Sequence, residues 1–249
     1  MNLRVRLLAS LLLVLFAPPL FSQTAVDPAA ILRDAALLGR FSSLEVRFAL
    51  EISERRGVKE RELLAYVEQD GEERRALVQV VSPAFLSNLK FLSLASGDER
   101  SQWMSTSRGV RRVAAGNRDE RLFDSDFTVE DLSAYDPDDY DLSLLGTENV
   151  GEVECYVLQA IPNDTAAHGD RKLLYVSVEE RLLYAAEFYA GGSIERRFEL
   201  IDTMMVDGTP FPRVARMTTV DADTNTLLTV SSAQPGIDIP DRVFNRGNL

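Results

Sequence analysis

The chain has 249 residues, 27 of them basic and 39 acidic, and 45 % hydrophobic content, the balance of a globular protein and not of a disordered one. A surface this acidic repels nucleic acid and anionic lipid headgroups, so neither is an expected partner. One cysteine, Cys155, excludes an internal disulfide.

Met1 to Arg6 carry Arg4 and Arg6 and no acid, Leu7 to Phe16 is an apolar run, and Ala17-Pro18-Pro19 breaks it. This is the layout of a secretory leader, residues 1–22, cleaved near positions 22–25. The run falls short of the about 20 residues that span a bilayer. No cysteine stands near the cleavage region, so a lipid anchor at a new N-terminus is not expected. Without Arg4 and Arg6 the balance is 25 basic against 39 acidic residues, a net charge of −14. Residues 26–249 are expected to form one domain.

Behind the leader, Asp27 can cap a helix and Pro28 suits its first position, predicting a helix over Ala29–Leu38 ended by Gly39. The period then changes to two. Over Ser43–Ser53, Leu44, Val46, Phe48, Leu50 and Ile52 share one face and charged or small residues the other, a half-buried antiparallel strand. Strand signals continue over 60–69, 75–81, 89–96 and 100–106, with Asp70-Gly71 as a hairpin turn. Residues 108–131 read as a loop entering a short helix near Val129–Ala134, with Thr128 and Asp131 placed as a capping pair. Strands resume over 140–145, 153–161, 172–178, 182–189, 194–202, 213–220 and 227–231. The expected fold is mainly β with lid helices, one curved antiparallel sheet of roughly ten or eleven strands that curls into a half-open barrel.

Several strands are apolar on both faces. Val153, Cys155, Val157 and Ile161 oppose Tyr156, Leu158 and Ala160; Leu182, Tyr184 and Phe188 oppose Leu183, Ala185 and Tyr189. A sheet with one solvated face alternates more cleanly, so something covers the second face. A barrel filled by its own side chains meets the requirement, and so does a sheet enclosing a ligand cavity.

Signs of catalysis are scarce. The one histidine, His168, lies in the polar loop 163–170 and reads as solvated; no nucleophile elbow, Walker loop or dinucleotide fingerprint is present. One His and one Cys make a zinc site improbable, and Cys155, in a strand-like run, reads as a buried inert thiol. Asp124-x-Asp126-x-Thr128 begins like a calcium loop but lacks its glycine and terminal glutamate. Asn163-Asp164-Thr165 matches a glycosylation sequon too common to weigh. No cofactor and no enzyme activity are expected.

Val110-Arg111-Arg112-Val113, followed by Phe123-Asp-Ser-Asp-Phe-Thr-Val-Glu-Asp-Leu132, resembles the outer-membrane lipoprotein-sorting protein family, relatives of the periplasmic carrier LolA. Ser125, Asp126, Phe127, Glu130, Asp131 and Leu132 match the family pattern in place. Asp124 stands where that pattern has glycine, at a turn whose dihedrals Asp accepts less readily, and Val129 stands for a tyrosine. Gly151-x-x-x-Cys155-Tyr-Val-Leu158, Leu174 to Val178, Asp207-Gly208 with Pro212, and the ending from Ile239 follow in similar order. The resemblance implies a LolA-like half-barrel with a helical lid and an apolar cavity for acyl chains, and tips the balance toward a cavity. Its lining is expected among Val46, Phe48, Leu50, Ile52, Phe91, Trp103, Tyr156, Leu158, Tyr184 and Phe188. The motif residues Arg111, Arg112, Phe123, Ser125, Asp126, Phe127, Glu130, Asp131 and Leu132 are expected to act structurally, the phenyl rings packed and Asp126 and Asp131 bonding loop backbone.

A periplasmic carrier or chaperone for lipids or acylated lipoproteins follows, a monomer that meets an inner-membrane transporter or an outer-membrane acceptor. The alternatives are an envelope sensor or transporter-accessory protein on the same fold, and, last, a hydrolase.

Overall fold

A computed structural model describes residues 26–249 apart from 37–39, 98, 115–116, 118, 133–134 and 164–168. The leader, Gly39, His168 and two residues of the sequon lie outside the described residues. Helix α1 (Pro28–Ala35) opens as its sequence requires: the Asp27 carboxylate accepts from the Ala29 N–H at 3.0 Å, and Pro28 takes the first turn. It ends earlier than Leu38, because the Ala36 N–H turns back to the Arg33 carbonyl.

Thirteen strands form one open, curved antiparallel sheet. They are β1 (Ser43–Glu54), β2 (Gly57–Asp70), β3 (Glu73–Ser82), β4 (Lys90–Ser96), β5 (Glu99–Thr106), β6 (Gly109–Arg112), β7 (Tyr140–Val150), β8 (Val153–Pro162), β9 (Arg171–Ser177), β10 (Leu183–Ala190), β11 (Ser193–Val206), β12 (Thr209–Thr219) and β13 (Thr224–Pro235). Sheet neighbours are consecutive in sequence except at β1–β13, where the two halves meet. The free edges are therefore β6 and β7, and the chain between them, residues 113–139, must cross the opening of the half-barrel. Short turns set the pairing: at Asp207-Gly208 both residues hold φ > 0, 47° and 75°, as a tight hairpin demands.

The count exceeds ten or eleven partly because β6 escapes pattern reading. Its four residues are all exposed, so no alternation marks them; the Ser107-Arg108 turn folds them back onto β5, Thr106 opposite Gly109. The face assignment on β10 also changes. A bulge between Leu183 and Ala185 shifts the register, so Leu183, Ala186 and Phe188 share the inner face while Leu182 and Tyr184 turn outward. Leu182, Tyr184 and Phe188 do not share a side as strict alternation predicts.

The main core lies on the concave face. The inner residues of β1 are 0–8 % exposed from Leu44 to Ile52. Two segments outside the sheet cover this face: α1, through Ile31 and Leu32, and the 113–139 crossover, through Val113, Leu122, Phe123, Phe127 and Val129. On the convex face the C-terminal segment packs Ile239 and Phe244 against Leu77 and Leu92.

Within the crossover, Phe123 and Asp124 adopt left-handed backbone, φ 51° and 64°. The turn that the family pattern builds with glycine is kept here with Asp, a residue that tolerates this region better than most. Asp124→Val is expected to lower stability by about 1–2 kcal/mol, read as a lower urea midpoint, whereas Asp124→Gly should leave the midpoint unchanged or raise it.

Candidate functional site

The crossover is held by buried charge. Ser125 is fully buried and Asp126 is 1 % exposed. The Asp126 carboxylate accepts from Thr219 Oγ1 at 2.6 Å, Thr224 Oγ1 at 2.6 Å, Thr226 Oγ1 at 2.8 Å and an Arg121 guanidinium nitrogen at 2.7 Å. Its own N–H donates to Thr226 Oγ1 at 2.9 Å. Asp126 thus bonds side chains of β12 and β13, not the loop backbone expected of it. The Ser125 hydroxyl donates to the Leu122 carbonyl at 2.7 Å and closes the loop locally.

Helix α2 (Val129–Leu132) carries the next two anchors. Asp131 accepts from the Thr128 N–H at 2.7 Å, and its own N–H reaches Thr128 Oγ1 at 3.4 Å, the reciprocal capping pair. The same carboxylate accepts from Arg196 of β11 at 2.5 Å and from the Tyr135 hydroxyl at 3.2 Å. Burial would lower the Arg196 pKa, but Asp131 more than offsets it and the guanidinium stays charged. Burial, reinforced by Asp131 and Glu130, pushes the Tyr135 hydroxyl well above its usual range. Glu130 pairs with Lys172 of β9 and accepts from Tyr140 at 2.7 Å. Burial pulls the Lys172 pKa down, opposed by Glu130. From the other half of the opening, Arg100 reaches Asp139 at 3.2 Å and Arg74 reaches Asp136 at 3.5 Å. The crossover is thereby latched to both halves of the sheet.

A pocket of about 230 Å³ lies between this latch and β9–β12. Charged side chains dominate its walls, Arg121, Asp126, Glu130, Lys172 and Arg196 among them. It is smaller than the ~300–1,000 Å³ of small-molecule sites, and its charged side chains suit an acyl chain poorly. The apolar surface expected to line a cavity is present on the concave face, but α1 and the crossover occupy it.

Eight of the ten expected lining residues join that inner cluster: Val46, Phe48, Leu50, Ile52, Phe91, Leu158 and Phe188 buried in it, Tyr156 packed against it. Two face outward. Trp103 packs under the C-terminal segment because its neighbour Met104 takes the inner position. Tyr184 lies with Leu182 and donates to Glu180 at 2.5 Å. Among the motif residues, Phe123 and Phe127 are core, Arg111 pairs with Glu120, and Arg112 donates to Ser101 Oγ at 3.3 Å. The side chain of Leu132 lies outside the described residues. Cys155 is buried, and burial raises its thiol pKa, the condition of an unreactive thiol. No group of three or more His, Cys, Asp or Glu among the described residues is arranged to hold a metal. Lys172, Arg196 and the three threonines were not legible as site residues; nothing in their local sequence sets them apart.

A family model described as that of an uncharacterized protein matches residues 72–249. The chain belongs to that family. Its fold is LolA-like, as three solved structures show. A DUF1329 family protein from Desulfovibrio piger is 20 % identical over 90 % of this chain and 99 % of its own, with a TM-score of 0.80. A putative outer membrane lipoprotein-sorting protein domain from Vibrio parahaemolyticus is 17 % identical over 83 % of this chain and 91 % of its own, TM-score 0.77. A LolA superfamily protein from Nitrosomonas europaea is 21 % identical over 90 % of this chain and the whole of its own, TM-score 0.72. No curated protein matches the chain.

Removing the Asp126 carboxylate leaves three hydroxyls and a guanidinium without their shared acceptor. Asp126→Ala is expected to cost about 3–5 kcal/mol, seen as a large drop in the urea midpoint. Asp126→Asn, which keeps one acceptor, should cost clearly less.

Proposed function

We propose that this protein is a non-enzymatic periplasmic carrier that holds the acyl chains of a lipid or lipoprotein against the concave face of its half-barrel. The observation that carries the reading is the nature of the cover. On a LolA-type sheet, the apolar inner face is closed by two segments that belong to no strand: α1, packed through Ile31 and Leu32, and the crossover, packed through its own apolar side chains and fastened by discrete polar contacts. Displacing the crossover exposes Phe48, Leu50 and Phe188 without breaking a strand pair. The leader-like N-terminal sequence supports a location outside the cytoplasm, and an inner-membrane transporter or an outer-membrane acceptor is the natural counterpart of such a carrier.

The energetics suit exchange. Burying an acyl chain gives about 0.8 kcal/mol per CH₂, so about 16 carbons gain roughly 12 kcal/mol from water. A membrane offers the same gain, so transfer between the two is nearly neutral and the latch can set its direction.

A second reading is an envelope sensor or transporter-accessory protein that binds a protein partner. The filled interior favours it, because no open apolar cavity is needed for that role.

Native mass spectrometry of protein purified from its own envelope, with lipid extraction, separates the two. The carrier reading expects about one acylated species per chain; a ligand-free mass and no uptake of added phospholipid or lipopeptide would sink it. Leu50→Glu should abolish uptake with folding retained if the inner face receives the ligand, and global unfolding would mark it as ordinary core. Thr224→Val, which removes one donor to Asp126, should speed uptake of a fluorescent phospholipid several-fold, since each lost hydrogen bond weakens the cover by about 1 kcal/mol.

A further inference from the structure

The net charge hides a local patch of the opposite sign. Antiparallel order puts the β2–β3, β4–β5, β7–β8, β9–β10 and β11–β12 connections at one end of the sheet. Those connections hold Glu72, Glu152, Glu179, Glu180 and Asp207 together with Arg181, whose guanidinium lies over the Tyr156 ring, and the neighbouring Arg74, Arg75 and Arg100 pair with Asp136, Glu68 and Asp139. At the opposite end lie the β8–β9, β10–β11 and β12–β13 connections, the last holding exposed Asp221 and Asp223, and beside it the β1–β2, β3–β4 and β5–β6 connections, neighbours spaced about 10 Å apart by two strand widths. None of these last three contains an acid. The first is Arg55-Arg56, the last Ser107-Arg108, and the middle one, residues 83–89, is uncharged.

That middle connection presents Phe85 at 80 % exposure, the most exposed of the large hydrophobic residues, with Val58, Val81 and Val110 also exposed beside the three turns. Arg55, Arg56 and Arg108 are exposed, and no ion pair engages them. Of the nearby acids, Glu54 is paired with Lys59 at 2.9 Å, Glu60 lies farther along β2, and Asp221 and Asp223 stand in the β12–β13 turn, the next one beyond Arg55-Arg56. A protruding phenyl ring between unpaired arginines matches the interface of a bilayer, apolar beneath an anionic headgroup layer.

We propose that this end of the sheet docks on an anionic phospholipid surface, Phe85 entering the headgroup–acyl boundary and Arg55, Arg56 and Arg108 meeting lipid phosphates. The expectation from net charge, that anionic headgroups are avoided, holds for the molecule as a whole and fails at this rim. Docking requires no ligand in the half-barrel, so its test is independent of lipid uptake.

The protein, expressed with its leader and purified from the soluble fraction, is sedimented with vesicles of phosphatidylglycerol and phosphatidylcholine in equal parts, and with vesicles of phosphatidylcholine alone. Binding to the anionic vesicles that weakens as salt rises is expected. Phe85→Ser should weaken it about tenfold, the factor for withdrawing one phenyl ring from an apolar layer. Each of Arg55→Gln, Arg56→Gln and Arg108→Gln should weaken it about fivefold. These positions are exposed, so the thermal midpoint should not move, and uptake of detergent-dispersed phospholipid should persist in all four variants. Equal binding to both vesicle types, or variants that bind as well as the parent, overturns the proposal. No binding to either vesicle type also overturns it and leaves the patch to a protein partner.

Discussion

One buried carboxylate organises the opening of this half-barrel. Asp126 has lost its water and is held instead by three threonine hydroxyls and a guanidinium. A carboxylate in that position persists only because each donor is supplied by a rigid neighbour. The three threonines stand on β12 and β13, the hairpin through which the last strand returns to pair with β1. The contact therefore fastens the crossover to the seam that joins the two halves of the sheet. With the crossover in place, Phe123, Phe127 and Val129 fill the concave face; without it, that face would be an apolar surface open to water.

The chemistry of the cover and of the sheet differs in kind. Strand pairing is a ladder of many backbone bonds, cooperative and hard to open in part. The crossover relies on few contacts, each strong because it is buried: Asp126 with the threonines, Asp131 with Arg196, Glu130 with Lys172. Buried ion pairs add little net stability over apolar packing, but losing one partner is costly. Such a fastening gives a defined closed state with few intermediate ones, which suits a segment that moves as a unit. On the half of the sheet from β1 to β6, arginines in no ion pair gather on the turns around Phe85.

Much of the architecture was legible in local patterning. β1 alternates because every second side chain meets the core, and all five inner residues from Leu44 to Ile52 were assigned correctly. Hairpin turns such as Asp207-Gly208 announce themselves through residues that accept φ > 0. Pattern failed where the backbone broke period. The bulge in β10 turned Phe188 inward and left Tyr184 outside, and β6 has no buried face to reveal it. Trp103, expected among the lining residues, is covered instead by the C-terminal segment.

The sequence by itself determined the antiparallel meander, the capping pair at Thr128 and Asp131 and the family motif, since each is encoded within a few neighbouring residues. The tertiary structure alone decided what the motif's carboxylates do. Asp126 and Thr226 are 100 positions apart, and no local signal distinguishes a threonine that will donate to a buried carboxylate from one that faces solvent. It also decided that the concave face is closed and that Phe85 stands among arginines. Both outcomes depend on which strand ends the sheet order brings together, and that order is fixed by pairing across the whole chain.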